Sequence, residues 1–562
     1  MPIIIEDFTF TYRGNIKPAL RNIKGKIADG NFVVLMGHAG AGKSTLCLAL
    51  NGLIPKFFPG QYQGRVLVNN QEVAQKKVAE MARLVGLVFQ DFEAQLFSTN
   101  VELEMAFGLE NQALPRGEIA ERIRRYLSFV GLTNLSDREP ASLSGGQKQR
   151  LAIGSILALE PNVLVMDEPM TDLDPQGREE ILSLVEKIKR EGRMLLIVDY
   201  EPETALMADQ VWLLQDGILV AQGQPEEILV NSNKLKSCGL RPLATVELFQ
   251  KMSWPHKPLS VSSAMKLIEK YNLCPRRKFA AQPLIRKIPG QSFLEAEGLE
   301  FTYPLLGIKA LRGIDLSIQE GEFIALLGQN GSGKTTLAKH INGLLRPTAG
   351  EIKIKGKPLR AYSRREMASL VGYVFQNPDH QIFANTVKEE VGFGLRMMRE
   401  ESKKIEQRVE EALGIVGLPG YEEKNPFTLT KGERQRVAVA SILAAQPQMI
   451  ILDEPTTGLD YLQQRSMMEM LKILHKKGHT ILIITHSMWV AAEYAQRIIL
   501  MKDGRVLADG PTREVFFNEG LLAEAALRPP ALVQLSNWLG TRALSVEEMV
   551  EELKENNFLI KG

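Results

Sequence analysis

Cysteine is scarce: Cys47, Cys238 and Cys274 are the three in 562 residues. They lack the spacing of a metal site, which predicts reduced, structural thiols in a cytosolic protein. No uninterrupted apolar stretch reaches about 18 residues, so no segment is expected to span a bilayer, and any membrane role needs a partner. No charged-then-apolar leader opens the sequence. Charge of one sign is also missing. The 68 Lys and Arg against 66 Asp and Glu leave a formal net charge of +2, which argues against a polyanion-binding protein. What is present, 44% hydrophobic and 24% charged residues, is ordinary for a globular chain. The length predicts several domains, each able to bury a core.

The informative stretch is Gly328-Gln-Asn-Gly-Ser-Gly-Lys-Thr335, after the apolar run Phe323-Ile-Ala-Leu-Leu327 and before the helical pattern from Thr336 to Asn342. Strand, glycine-rich loop and helix form the context in which G-x-x-x-x-G-K-[ST] has a mechanism. Gly37-His-Ala-Gly-Ala-Gly-Lys-Ser44, after Phe32-Val-Val-Leu-Met36, repeats the device. Backbone N–H groups in such a loop close around a phosphate chain at a helix N-terminus. The candidate ATP ligands are therefore Gly37, Gly40, Gly42, Lys43, Ser44 and Thr45, with Gly328, Asn330, Gly331, Gly333, Lys334, Thr335 and Thr336 in the second loop. Lys43 and Lys334 would reach the β- and γ-phosphates, and the Ser44 and Thr335 hydroxyls would ligate Mg²⁺. Asp167 and Asp453, each ending an apolar strand, fit the carboxylate that holds the same ion. Glu168 and Glu454 follow directly. Strand alternation places them on the opposite side of the strand end, where each would orient a water for attack on the γ-phosphate.

The chain repeats itself. Phe10-Thr-Tyr12 recurs as Phe301-Thr-Tyr303, and Val85-Gly-Leu-Val-Phe-Gln90 as Val371-Gly-Tyr-Val-Phe-Gln376. Val165-Met-Asp-Glu-Pro169 recurs as Ile451-Leu-Asp-Glu-Pro455. Two copies of one domain are expected: a core over 1–230, its extension and linker over 231–289, a second core over 290–517 and a second extension over 518–562. The join at 274–290 has three prolines and several basic residues, and it reads as an exposed linker rather than a nucleic-acid patch. Near-continuous apolar strands alternating with helices indicate a parallel sheet covered on both faces, an α/β fold.

Leu143-Ser-Gly-Gly-Gln147, followed by Lys148-Gln-Arg150, resembles the signature of ATP-binding-cassette (ABC) ATPases, and the resemblance covers almost all of both halves. It implies two P-loop nucleotide-binding domains, each with a mixed and parallel sheet core, antiparallel β and helical subdomains, and a short C-terminal helical extension. In that family two cassettes sandwich two ATPs head to tail, each between the P-loop of one and the signature of the other. The two cassettes here would pair within one chain. The implied far-side phosphate ligands are Ser144, Gly145, Gly146 and Gln147, with Thr430 and Gly432 in the second half. Tyr12 and Tyr303 resemble the aromatics that stack on adenine. Gln90 and Gln376 resemble the glutamines that sense Mg²⁺ and touch a transmembrane partner. Thr171-Asp-Leu-Asp174 and Thr457-Gly-Leu-Asp460 resemble the loops that link the two sites, and His486 the histidine that contacts the γ-phosphate.

Two positions depart from the family pattern. Tyr200 stands as far beyond Asp167 as His486 stands beyond Asp453, so the first half has tyrosine where the family has histidine. The second signature, Leu429-Thr-Lys-Gly-Glu433, carries Lys431 and Glu433 in place of a glycine and a glutamine. In the sandwich both changes fall in one composite site. The other, with Lys334, Asp453, Glu454 and His486 facing Ser144, is intact and is expected to be the competent one.

Val374-Phe-Gln-Asn-Pro-Asp-His-Gln-Ile-Phe383, continuing to Gly394, is similar to the ATPases of energy-coupling-factor transporters. So are the segments Leu240-Arg-Pro-Leu and Leu527-Arg-Pro-Pro that follow each core. That resemblance implies a transmembrane scaffold subunit and a small substrate-binding membrane subunit as partners. It also implies import of a vitamin or a transition-metal ion, and a peripheral location on the cytoplasmic face of the cell membrane. Two other readings remain open: a soluble twin-cassette ATPase acting on ribosomes, and the fused ATPase of another importer class.

Overall fold

Strands buried at every position form the centre of each half, as their unbroken apolar runs require: Phe32–Met36, Val163–Asp167 and Met194–Val198 in the first, Phe323–Gly328, Met449–Asp453 and Thr480–Ile484 in the second. The computed structural model describes residues 2–171, 173–271, 292–304 and 307–555. The join read as a linker, with Cys274, and Asp172 lie outside them.

In the first half these strands belong to a six-stranded sheet. Its order is Ile218–Gly223, Gln210–Gln215, Phe32–Met36, Met194–Val198, Val163–Asp167, Val85–Val88. Every pairing is parallel except that of the two edge strands that form a hairpin. The second half repeats the order with Arg505–Pro511, Arg497–Lys502, Phe323–Gly328, Thr480–Ile484, Met449–Asp453 and Val371–Val374. Each half adds a four-stranded antiparallel sheet built on Ile3–Tyr12 or Ser292–Thr302. There burial alternates, with Ile3, Ile5, Phe8 and Phe10 turned into a core shared with Val33, Leu35 and Trp212. Phosphate-loop strands therefore lie mid-sheet, and the loops at their C-terminal ends converge, which is where open α/β sheets bind ligands.

A helical subdomain stands beside each sheet. Helices Val101–Asn111, Arg116–Phe129 and Gly145–Ala158 pack on one another, as do Val387–Met397, Ser402–Ile415 and Lys431–Leu443. One buried glutamate in each anchors the segment that leads in from the sheet. Glu104 accepts the N–H groups of Phe97 and Ser98 at 3.1 and 2.8 Å, and Glu390 those of Phe383 and Ala384 at 3.0 and 2.9 Å.

Short helices follow each core: Ser232–Ser237, Ala244–Lys251 and Val261–Lys270 in the first copy, Glu519–Glu524, Ala531–Leu539 and Val546–Glu555 in the second. The chain divides into two compact units, Met1–Glu247 and Leu248–Gly562. Within the second unit, Val261–Lys270 packs against Ala531–Leu539, and Lys251 pairs with Glu547. Cys47 and Cys238 are buried and unbridged. Among the described residues no helix is long and apolar enough to cross a membrane.

Arg497 is the main polar tie of the second core. It reaches Glu322 at 2.8 Å, Asp509 at 2.6 Å and the carbonyl of Ser317 at 2.9 Å, joining four strand segments. Removing one member of a buried pair leaves an uncompensated charge, at a cost of about 3–5 kcal/mol. Arg497→Leu is expected to lower the melting temperature of the second unit accordingly, and adding Glu322→Leu to restore part of the loss. Equal melting of wild type and single variant would show that the tie is not stabilising.

Candidate active site

Each phosphate loop is a place where backbone meets backbone. Gly37, at φ 157, is packed so closely that a Cβ would stand 2.1 Å from the carbonyl oxygen of Leu214, and Gly328, at φ 147, 2.3 Å from that of Met501. Gly42 and Gly333, at φ 100 and 99, start the helices Lys43–Asn51 and Lys334–Ile341 in a left-handed conformation that disfavours any other residue. The loops thus aim helix N-termini at open space above the sheet.

The lysine that follows is folded back into its own loop. Lys43 Nζ donates to the carbonyls of Gly37 and His38 at 3.0 and 2.9 Å, and Lys334 Nζ to those of Gly328 and Gln329, both at 2.8 Å. Tyr12 stands beside the first loop with its hydroxyl 3.1 Å from Thr45 Oγ1, and Tyr303 repeats the contact with Thr336 at 3.0 Å. Both rings are only partly buried, as an adenine platform requires.

Asp167 and Asp453 are buried at their strand ends, with the Ser44 and Thr335 hydroxyls close enough to act on them. Burial raises both carboxyls above their ordinary value, opposed by those hydroxyls and the nearby ammonium groups. Asp167 Oδ1 is buried without a hydrogen-bond partner. A hard divalent cation takes such oxygen donors, so Ser44 with Asp167, and Thr335 with Asp453, fit Mg²⁺.

Strand alternation fails at the next residue. Glu168 and Glu454 adopt φ 51 and 48, left-handed values outside strand geometry. Each feels both the P-loop lysine and the neighbouring aspartate, so the two carboxylates share one site rather than opposite sides. Glu168 accepts from Gln90 Nε2 at 2.8 Å and from the Thr171 hydroxyl at 3.3 Å. Glu454 accepts from the Thr457 hydroxyl at 3.3 Å and the His486 N–H at 3.2 Å, with His486 Nε2 3.1 Å from its other oxygen. Burial lifts Glu454 up to about 8, Lys334 opposing and Asp453 adding to the rise.

The two copies differ in their glutamines: Gln90 is bonded to Glu168, whereas among the described residues Gln376 has no such bond to Glu454. Tyr373 donates to Asp453 at 2.9 Å, a contact that sequence reasoning missed. Its only signal was the one mismatch between the repeated segments, Tyr373 against Leu87. The signatures sit elsewhere in their own units, at the starts of the helices Gly145–Ala158 and Lys431–Leu443. Ser144, Gly145, Gly146 and Gln147 form a capping box in which Gln147 N–H donates to Ser144 Oγ at 3.3 Å. In the second signature, flanking Gly432, the Thr430 hydroxyl itself donates to Glu433 at 2.8 Å. Lys431 lies along the loop after Asp453, so close to Gly458 that a Cβ there would stand 2.4 Å from its Nζ.

The ABC transporter family model matches residues 20–171 and 311–457. A provisionally named ABC transporter ATP-binding protein of Caldanaerobacter subterraneus subsp. tengcongensis is 49% identical over 98% of this chain and 98% of its own. The chain belongs to the ABC transporter family. A similarly named protein of Methanosarcina mazei is 38% identical, over 98% of this chain and 96% of that one. Among solved structures, cbiO1 of Clostridium perfringens, part of the ABC transporter complex cbiONQ, is 37% identical with a TM-score of 0.39, covering 44% of this chain and 98% of that one. The protein is a tandem ABC ATPase, and its two cassettes are ATP-binding domains.

The buried Glu454 gives a pH signature of the nucleotide-free ATPase. Its carboxyl holds a proton in the folded state up to about pH 8, whereas the unfolded chain releases it near the ordinary 4.5. The folded state therefore binds more protons across that window, and stability falls as pH rises through it. Glu454→Gln removes the ionisation and keeps an acceptor for the His486 N–H. In chelator, it is expected to melt about 2–8 °C above wild type near pH 8 and within about 1 °C of it near pH 5. A difference independent of pH would refute the assignment of that proton.

Proposed function

We propose that this tandem ATPase energises an importer of the energy-coupling-factor kind. It would work at the cytoplasmic face of the cell membrane with a transmembrane scaffold subunit and a small substrate-binding membrane subunit. The cargo would be a vitamin or a transition-metal ion. The carrying observation is a pair of exposed aromatic rings that occurs in both copies next to the Gln90 and Gln376 segments. Phe97 and Phe107 meet edge to face at 4.6 Å, Phe383 and Phe393 at 4.7 Å. Phe97 is 62% exposed and Phe383 59%. Such rings on a soluble face mark an interaction site, and the buried Glu104 and Glu390 beneath them fix where they point. Sequence supports the same reading through Asn377-Pro-Asp-His-Gln381 and the two extensions.

The chemistry follows from the residues. Incoming triphosphate takes the N–H groups of the loop and the Lys334 ammonium, with Tyr303 under the adenine. Thr335, Asp453 and Gln376 would hold Mg²⁺, which neutralises charge on the phosphate oxygens when bound. Glu454, held by His486 and Thr457, orients the attacking water. His486 then steadies the γ-phosphate. In the sandwich that the family resemblance implies, the Ser144 hydroxyl and the helix start behind it close on that phosphate from the opposite cassette.

The other composite site is the weaker hydrolase in this reading. Tyr200 replaces the histidine, and the facing signature carries Glu433. Burial works to raise that carboxyl, but the Thr430 and Tyr421 donors hold it below its ordinary value and ionised. A standing carboxylate where phosphate should dock repels it.

Glu454→Gln is expected to cut steady-state ATPase of the assembled transporter by about 10²–10⁴-fold, and Glu168→Gln to leave most of it. Equal losses, or a larger loss from Glu168→Gln, would move the competent site to the first P-loop. Separately, Phe97→Ser with Phe383→Ser is expected to abolish sedimentation with membranes carrying the scaffold. Wild-type protein that travels with ribosomes in a sucrose gradient, and never with such membranes, would replace import with the ribosomal role.

A further inference from the structure

Tyr200 makes contacts that give the first P-loop a second partner. Its hydroxyl accepts from Lys43 Nζ at 3.2 Å and lies near enough to the Glu168 carboxylate to oppose the rise that burial causes there. The Lys43 ammonium also stands 4.3 Å from the centroid of its ring. The carbonyls of Gly37 and His38 accept from the same ammonium. The carbonyls belong to the loop that wraps phosphate. The phenol is the acceptor that a phosphate oxygen must displace.

The segment that carries Tyr200 is itself fixed. Asp199, buried, accepts the N–H groups of Tyr200 and Glu201 at 2.7 and 3.3 Å, the Thr204 hydroxyl at 2.5 Å and the Arg178 guanidinium at 3.3 Å. On the other flank, Arg241 of the first extension donates to Glu201 and Glu203, both at 3.1 Å. The helix Pro175–Arg190 and the extension therefore both grip the residues on either side of the phenol. In the second half Thr485 and Ser487 occupy the positions of Asp199 and Glu201, so this charged grip belongs to the first site alone.

We propose that Tyr200 is a positioning residue that latches the first nucleotide site. Its phenol holds the ammonium that ATP needs, and an arriving triphosphate has to break that hold. The latch rests on the reading of Lys43 as an ATP ligand. Its consequence is specific: the phenol lowers ATP affinity at the first site, so the two sites of one chain load unequally. A hydrogen bond to a charged group stabilises the empty site, and part of that stabilisation returns when phosphate replaces the phenol, so removing the hydroxyl should tighten binding by about 3- to 30-fold.

The test uses the full chain with Lys334→Ala, which silences the second P-loop, and titrates a fluorescent ATP analogue in the presence of Mg²⁺. Tyr200→Phe, which keeps the ring, is expected to bind about 3- to 30-fold tighter than the Tyr200 parent. Tyr200→Leu, which removes the cation–π contact as well, should bind at least as tightly as Tyr200→Phe. A gain in affinity is not what a loosened or misfolded site produces. Binding that is unchanged or weaker in both variants would overturn the latch alone. No binding in the parent or in either variant would overturn it together with the assignment of Lys43.

Discussion

The buried ammonium of the P-loop is the constraint on which each cassette turns. Lys43 is 4% exposed and Lys334 5%, and a charge in so dry a place is costly unless it is paired and hydrogen-bonded. Each half solves the problem in the same way. A mid-sheet strand ends in a loop whose carbonyls face inward, and the next strand but one delivers a carboxylate pair within electrostatic reach. Those carboxyls are raised by their own burial, so the site without nucleotide is a compromise among poorly solvated groups. A polyphosphate with its metal would resolve that compromise, since it would supply negative charge to the ammonium and a cation to the carboxylates at once. In that reading binding and fold stability are linked through the same few atoms.

Much of this was legible in the sequence because the relevant rules are local. Glycines at fixed spacing after an apolar run gave both loops, and unbroken apolar strands gave the parallel sheet. The repeat located the second copy of everything. What escaped was set by backbone dihedrals or by distant contacts. Strand alternation sends Glu168 and Glu454 away from Asp167 and Asp453, and only their left-handed φ values bring them back. No pattern rule anticipates a non-glycine residue in that region at a strand end. Tyr373 showed only as a mismatch between the copies, because its value lies in a partner, Asp453, far along the chain. The glutamates at 104 and 390 look like ordinary acids in a first helical turn, yet both are buried anchors for a preceding loop.

At the nucleotide sites the two copies keep the residues that backbone packing demands and diverge in side-chain chemistry. Gly37 and Gly328 press against the same carbonyl of the neighbouring strand, so neither can change without moving the sheet. Position 200 or 486 is under no such restriction. Either ring fits beside the strand end, and what differs is which group it touches.

The second signature shows how such a change can pass unnoticed by the fold. Gln147 and Glu433 occupy the same third position of their helices, and each closes a capping box with the residue before the helix. A carboxylate there satisfies the same orphan N–H group and adds favourable charge at the positive end of the helix. It also takes the Thr430 hydroxyl hydrogen, which in a phosphate-binding signature would be offered to the nucleotide. The substitution thus makes a better helix start and a poorer anion site, because both demands fall on one set of N–H groups and one side chain has already met them. Folding would not remove such a residue from a duplicated cassette, and only the demand for phosphate at that helix end would.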